Sequence, residues 1–204
     1  MDKFISFSAK ELCTRSCMQL KMFAEHPEKR PQPSQAAFEG ESYQHQVVKK
    51  MNDVIGEEMG GVLIDDNARI YFSNDVVCKD KIVEIKSVNG EPEEWYLKSS
   101  LLQCAVYNSL LKMTNGKLKT AKFFSDKGNP IVETVVDDGI KYFLKFGNDI
   151  YLINVKDAGS IVRFILEKAK ASMSWDSAKL FDAAYKRKEF ETLKPFFDYV
   201  KIDI

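Results

Sequence analysis

The sequence lacks long apolar runs and a disulfide framework. Its 204 residues include only four cysteines, at Cys13, Cys17, Cys78 and Cys104, and their scattered positions do not resemble a disulfide pattern. No apolar run is long enough to span a bilayer, and Met1 does not open a signal peptide. We therefore expect a cytoplasmic protein with free, mostly buried thiols and no membrane segment.

An excess of charge is also missing, because 30 Lys and Arg residues balance 30 Asp and Glu residues. A neutral chain is not a general polyanion binder, so any nucleic-acid contact must come from a local basic patch. The sequence contains no internal repeat, low-complexity tract, domain linker or Walker phosphate loop. We therefore expect a single domain over residues 1–204.

Hydrophobic periodicity predicts several helices. A helix capped by Ser8 and Glu11 is expected to run to about Glu25. The further predicted helices cover about Gln35 to Glu57, Glu93 to Met113, Asp157 to Met173 and Trp175 to Lys186.

Hairpins are predicted between these helices, at Val62 to Phe72, Asp75 to Val88 and Ile140 to Val155, with a short strand from Ala121 to Phe124. Gly60-Gly61 is expected to break the chain. With helices outside and four to six short strands inside, the predicted fold class is α/β, with a central β-sheet flanked by helices.

The hairpin from Asp75 to Val88 concentrates charged side chains. A two-residue turn at Lys79-Asp80 places Asp75 opposite Glu84, and Lys86 shares the face of Glu84 because side chains alternate along a strand. A three-residue turn would shift the register and separate the two carboxylates. The hairpin therefore predicts two carboxylates and an ammonium in one patch of sheet.

Two adjacent carboxylates are unfavourable unless a cation or a proton lies between them. Mg²⁺ takes oxygen ligands and can orient and acidify a water, while a neighbouring lysine can stabilise developing negative charge. This set therefore has the chemistry needed to hydrolyse a phosphodiester. The alternative is a solvent-facing hairpin with a Glu/Lys pair.

Two helices carry further polar groups. Ser99, Gln103 and Tyr107 form a polar stripe, which either faces water or closes one side of the same cleft. His45 shares a helix with Glu41, and it is either a surface residue or a ligand for a Mn²⁺- or Mg²⁺-type site.

The order His45, Asp75, Glu84-Ile-Lys86 and Gln103-x3-Tyr107 resembles the PD-(D/E)XK nucleases, specifically their RecB-like exonuclease branch. The segment Phe7 to Cys13 also resembles the usual N-terminal helix of that branch. The resemblance covers about residues 7 to 125. It implies a restriction-endonuclease-like core with a central mixed β-sheet.

The resemblance also implies a metal site. Asp75 and Glu84 would bind Mg²⁺ or Mn²⁺, with His45 as a further ligand and Glu41 as the alternative to His45. Some relatives hold an iron–sulfur cluster through three C-terminal cysteines. No cysteine follows Cys104, so that cluster cannot form here with the usual ligands.

By the same resemblance, Lys86 would be the catalytic lysine, and Gln103 and Tyr107 would orient Lys86 or hold the DNA backbone. The expected function is metal-dependent DNA hydrolysis, with exonuclease activity in recombination, repair or phage DNA processing. A recombination, helicase or phage protein is a candidate partner, since the chain has no motor of its own. The alternatives are a catalytically inactive relative that binds DNA or protein, and an unrelated α/β interaction module.

Basic and aromatic side chains are the candidate DNA contacts. Most short charge runs only solvate a surface, so these contacts are weaker predictions than the carboxylate site. The candidates are Lys112, Lys117, Lys119, Lys122, Lys186-Arg187-Lys188, Tyr43, Trp95 and Tyr96.

Overall fold

The structure is a computed structural model that describes residues 5–66, 68–120 and 132–203. Helices α1 to α7 span Ala9–Thr14, Cys17–Glu25, Gln35–Val48, Glu94–Met113, Ala158–Ala171, Trp175–Tyr185 and Glu189–Leu193. Strands β1 to β9 span Ile5–Ser8, Val54–Asp65, Ala68–Cys78, Lys81–Lys86, Lys117–Thr120, Glu133–Val135, Lys141–Phe146, Asp149–Val155 and Phe197–Ile202. No helix in the described part of the chain is long and apolar enough to cross a membrane.

The strands form one nine-stranded mixed sheet in the order β6-β5-β2-β3-β4-β7-β8-β9, with β1 paired to β3. Most neighbours are antiparallel, but β1 runs parallel to β3 and β4 runs parallel to β7. The prediction of an α/β fold with a central sheet flanked by helices is confirmed. The expected number of strands was too low. The predicted strand at residues 121–124 lies outside the described residues.

Helices cover both faces of the sheet. The larger core lies between the sheet and helices α1, α2, α4 and α5, and it includes Ile82, Leu101 and Tyr142. The smaller core lies under α3 and joins Val48 to Val83 and Ile85. Because neighbouring residues of β4 point to opposite faces, α3 and α4 cover opposite sides of this strand.

The predicted second helix is too long. It ends at Val48, and residues 54–57 begin strand β2 instead. Asp53 takes a φ of 59°, a left-handed conformation, in the segment that joins the end of the helix to the strand. Gly60, expected to break the chain, lies within β2, where an added Cβ would come within 2.2 Å of the Phe72 carbonyl oxygen. Glycine is required there by close packing of two strands rather than by a turn.

The predicted first helix is two helices. The capping box belongs to Ser16 and Gln19 at the start of α2, where each side chain accepts from the other residue's backbone N–H. Ser8 makes no side-chain cap bond at α1, and Glu11 binds Arg30 at 2.8 Å instead. The predicted Ser8/Glu11 cap is therefore wrong, because the Glu11 side chain pairs with Arg15 and Arg30 instead of with the Ser8 backbone.

The central helix and all three predicted hairpins are confirmed, since β2 and β3 also pair antiparallel with Val62 opposite Tyr71. Helix α4 spans Glu94–Met113, close to its predicted bounds. Strands β7 and β8 form the predicted hairpin around Gly147, whose φ of 57° suits the turn. In the β3–β4 hairpin, Val76 pairs with Val83 and Val77 with Ile82, which is the register of a two-residue turn.

A buried lysine ties the C-terminal helices to α1. Lys168 of α5 lies 2.6 Å from a Glu189 carboxylate oxygen of α7, and its Nζ donates to the Leu12 carbonyl of α1 at 2.5 Å. The Lys168 side chain is 1% exposed. A buried ammonium is tolerated only when it is paired and hydrogen-bonded, and both conditions hold here.

We expect Lys168→Ala to lower the free energy of unfolding by about 3–5 kcal/mol, because it leaves a buried carboxylate and a carbonyl without their donor. Urea unfolding measures this loss. Lys156→Ala is the matched control, since Lys156 forms an exposed pair with Asp198, and its loss should stay below about 1 kcal/mol. Equal losses in the two variants would contradict a structural role for the buried pair.

Candidate active site

The carboxylates predicted from the sequence lie where two neighbouring strands separate. Strand β3 pairs with β4 at Val76 and Val77, while its earlier residues pair with β1 on that same edge. Strand β2 occupies the other edge of β3 throughout. Strands β3 and β4 therefore diverge beyond Val76, and β1 lies between them. We call this point the β3–β4 fork.

Asp75 lies at the fork, where its side chain takes the place of a backbone carbonyl as the hydrogen-bond acceptor between β3 and β4. Its Oδ2 accepts the backbone N–H of Ile85 at 2.7 Å, so the side chain bridges two strands that no longer pair through their backbones. Side-chain alternation also breaks here, because Phe72 and Val77 both face the larger core although they are five residues apart. On the neighbouring strand, Glu58 lies beside this break with a φ of 49°.

Glu84 lies on the same side as α4. Its Oε1 accepts from Lys86 Nζ at 2.8 Å and from Gln103 Nε2 of α4 at 2.8 Å. The Glu84 side chain is 2% exposed and that of Lys86 is 14% exposed. The structure therefore brings Glu84, Lys86 and Gln103 together in one buried network next to Asp75.

The pKa values at the fork reflect the crowding of these groups. Burial, and then the negative charge of Glu84, raise the pKa of Asp75 to about 7. Burial alone would lower the pKa of Lys86, but the charges of Glu84 and Asp75 outweigh it and raise the pKa above its usual range. Lys86 is therefore protonated, whereas burial and the charge of Glu84 disfavour the charged form of Asp75.

One oxygen of this network has no partner. Glu84 Oε2 is buried and accepts no hydrogen bond in the described structure, although Oε1 accepts two. A buried carboxylate oxygen normally has a hydrogen bond or a cation. The orphaned oxygen, beside a second carboxylate, is the environment that a divalent cation would complete.

Gln103 and Tyr107 are buried rather than exposed as a polar stripe. Gln103 is 3% exposed and contacts Glu84, so it orients the carboxylate rather than Lys86. Tyr107 packs its ring against Phe72, with centroids 6.1 Å apart, and burial raises its pKa well above the usual range. Neither side chain faces solvent in a way that would hold a DNA backbone.

His45 is placed away from the two carboxylates. It is 50% exposed on α3, and its Nδ1 lies 3.4 Å from a Glu57 carboxylate oxygen. Helix α3 packs on the smaller core, whereas Glu84 is held from α4 on the opposite face of β4. Glu41 is exposed on the same helix as His45. The predicted grouping of His45 with Asp75 and Glu84 is therefore not assembled here.

No group of three or more His, Cys, Asp or Glu side chains suited to a metal occurs within residues 5–66, 68–120 and 132–203. The cation site at the fork would therefore use two carboxylates. Mg²⁺ commonly binds through one or two carboxylates, with waters and substrate phosphate completing its shell. The donor set fits such an ion.

A second polar pair, which sequence reasoning missed, fixes the approach to Asp75. Asn74 is fully buried, accepts from the Tyr142 hydroxyl at 2.6 Å and donates to the Met59 carbonyl at 3.1 Å. These contacts link β3 to β7 and β2 next to the fork. No sequence spacing indicates them, because the three residues are far apart in the chain.

The predicted DNA contacts have mixed outcomes. Lys119 pairs with Glu133 at 2.7 Å, and Lys112 lies 3.9 Å from an Asp138 carboxylate oxygen. Lys122 lies outside the described residues. The other candidates divide between exposed groups (Lys117, Lys186, Arg187, Lys188 and Trp95) and partly buried tyrosines (Tyr43 and Tyr96) whose hydroxyls donate to backbone carbonyls.

A cavity in the described structure lies apart from the fork. It measures about 1040 Å³ and is lined by residues of β2, β3, β5 and β6, including Val62, Tyr71 and Val135. Ser73 is its nearest lining residue to Asp75 in the chain. The unpartnered carboxylate oxygen of Glu84 lies at the fork, whereas the cavity walls are mostly apolar.

The chain matches none of the known proteins with which it was compared: no family model, no curated protein and no solved structure.

We expect Asp75→Asn to change how stability depends on pH when EDTA removes divalent ions. The folded pKa of about 7 exceeds the unfolded value of about 3.9, so the folded protein holds this proton more tightly. The contribution of Asp75 to stability is then fully present below about pH 4 and is lost as the pH rises through about 7. Asparagine does not titrate, so the variant should be the more stable protein at pH 8.

Urea unfolding from pH 4 to pH 8 measures this difference. Asp53→Asn is the control, because Asp53 is an exposed loop residue paired with Lys79, and its curve should parallel the wild type. If the curve of Asp75→Asn also parallels that of the wild type, the pKa of the Asp75 carboxyl group is not raised in the folded protein.

Proposed function

We propose that this protein is a metal-dependent DNA nuclease that hydrolyses phosphodiester bonds, with a restriction-endonuclease-like core of the RecB-like type. One observation carries the proposal. The buried Glu84 carboxylate has one oxygen bound by Lys86 and Gln103 and one oxygen without a partner, next to Asp75. Mg²⁺ or Mn²⁺ between Asp75 and Glu84 would satisfy that oxygen and relieve the repulsion between the carboxylates.

The ion would supply Lewis acidity and an acidified water. The residues of the chain fix the geometry around it. Gln103 and Lys86 both bind Oε1 of Glu84, which leaves Oε2 for the cation. The second oxygen of Asp75 is also left available, since Oδ2 accepts from Ile85. His45 is left out of this ligand set because its contact is Glu57.

Lys86 has the charge and position to act on the phosphate. Its Nζ is held 2.8 Å from the carboxylate that would bind the ion, and its raised pKa keeps it protonated. An ammonium beside the reacting phosphate stabilises the negative charge that develops on the oxygens. Preference for DNA, exonuclease action and a role in recombination, repair or phage DNA processing come from the resemblance of the motifs.

We expect Lys86→Ala to abolish metal-dependent cleavage while the protein stays folded. The loss should be at least about 100-fold, the scale on which removal of one charge-stabilising donor acts. Cleavage of labelled single- and double-stranded DNA with Mg²⁺ or Mn²⁺ measures it, and circular dichroism checks the fold.

Lys81→Ala is the matched control, because Lys81 lies at the other end of the same strand and pairs with Asp80. The control should cleave like the wild type. Wild-type cleavage by Lys86→Ala would remove this lysine from the mechanism.

We expect Asp75→Asn to weaken Mn²⁺ binding, because it removes one of the two carboxylates while retaining an acceptor for Ile85. Isothermal titration calorimetry measures the affinity. Glu57→Gln, on the opposite face of the sheet with His45, should leave the titration unchanged. If the Glu57 variant loses Mn²⁺ and the Asp75 variant does not, the ion belongs near α3 instead.

A catalytically inactive DNA- or protein-binding relative is the second candidate. The deep burial of Glu84 and the separation of the fork from the cavity between β2, β3, β5 and β6 favour it. In that case the Glu84, Lys86 and Gln103 network is a structural polar network in the core. The two functions differ in one result, since an inactive relative would bind DNA or a partner without cutting DNA in any divalent ion.

A further inference from the structure

We propose that Lys10 binds a backbone phosphate of the nucleic-acid strand next to the fork and so positions the strand for cleavage. This inference rests on the proposed function and adds a substrate contact to it. Lys10 lies in the first turn of a short helix, within the segment from Phe7 to Cys13, and the resemblance assigned it no role. The juxtaposition of α1 with the fork brings this lysine to the site.

The pairing of β1 with β3 determines where Lys10 lies. The two strands are parallel, and Ser8 is opposite Tyr71. Helix α1 begins at the next residue, so Lys10 lies at the end of β1 and on the Asp75 side of Tyr71. Because β1 fills the gap between β3 and β4, the start of α1 must lie over the fork.

The two sides of α1 differ in how far they are exposed to solvent. Ala9, Leu12 and Cys13 are buried, and the helix packs against α4, which carries Gln103. Lys10 is exposed on the other side of the helix. Its charge is nonetheless felt at the fork, since it is one of the groups that lower the pKa of Asp75. The lysine is thus both accessible to solvent and close enough to act electrostatically on the site.

Lys10 also differs from the other cations nearby. Glu11 pairs with both Arg15 and Arg30, and both guanidinium groups lie over the Phe23 ring. Lys86 is engaged by Glu84. Lys10 has no carboxylate within ion-pair distance among residues 5–66, 68–120 and 132–203. An exposed and unneutralised ammonium beside a phosphodiester-hydrolysing site is suited to an anionic strand.

Lys10→Met tests the contact. Binding of a labelled DNA oligonucleotide is measured by fluorescence anisotropy in EDTA, where no strand is cut, over a series of salt concentrations. Loss of one phosphate contact should reduce the slope of log affinity against log salt by about 0.7–0.9 and weaken binding about five-fold at low salt. Lys10→Arg should restore both values, because arginine keeps the charge.

Lys179→Met is the matched control, since Lys179 is exposed on α6, which packs on α2 and α5 rather than on the sheet. It should bind like the wild type. In the cleavage assay with Mg²⁺ or Mn²⁺, Lys10→Met should raise KM about five-fold and change kcat less than about two-fold, because the contact holds the strand before and during reaction. A fall in kcat alone would contradict a binding role.

The outcomes separate the two proposals. An unchanged salt slope in a variant that still cleaves overturns the Lys10 contact and leaves the nuclease proposal standing. A reduced slope in a protein that never cleaves supports the Lys10 contact and overturns the nuclease. Absence of DNA binding by the wild type overturns both.

Discussion

The site depends on one hydrogen bond, from the Ile85 backbone N–H to the Asp75 carboxylate. Where β3 and β4 stop pairing, this bond takes the place of a backbone acceptor and holds the two strands at a fixed separation. The separation admits β1, and with it α1, and it keeps Asp75 beside Glu84. Without a side chain that can accept this bond, the fork would lose the contact that joins its two arms.

Burial then gives the fork its chemistry. Helix α4 is buried from Ser100 to Leu111 and covers Glu84 with Gln103. It costs free energy for two carboxylates removed from water to be charged together, and the buried cation Lys86 is engaged at Oε1 of Glu84. The site therefore has more negative charge than Lys86 neutralises, and a divalent cation would balance that excess. Burial and the negative charge of Glu84 likewise explain why the pKa of Asp75 is raised.

The far end of the chain supports this arrangement. Lys168 and Glu189, on α5 and α7, hold the Leu12 carbonyl of α1 through a buried ion pair. Asp182 of α6 accepts two backbone N–H groups at the start of α2. These contacts fix the positions of α1, which carries Lys10, and of α2. The C-terminal helices have no motif of their own, and they act by positioning the N-terminal ones.

Helical periodicity predicted helix α4, and strand alternation predicted the closeness of Asp75, Glu84 and Lys86 for a two-residue turn. The sequence left a three-residue turn open, and the pairing of Val76 with Val83 selects the two-residue turn. The sequence could not place His45, since the face on which α3 packs depends on which core its apolar side chains join. It also missed the extension of β2 through Gly60-Gly61 and the entry of β1 at the fork. Those features arise from pairing between segments that are far apart in the chain, and local sequence patterns do not encode such pairing.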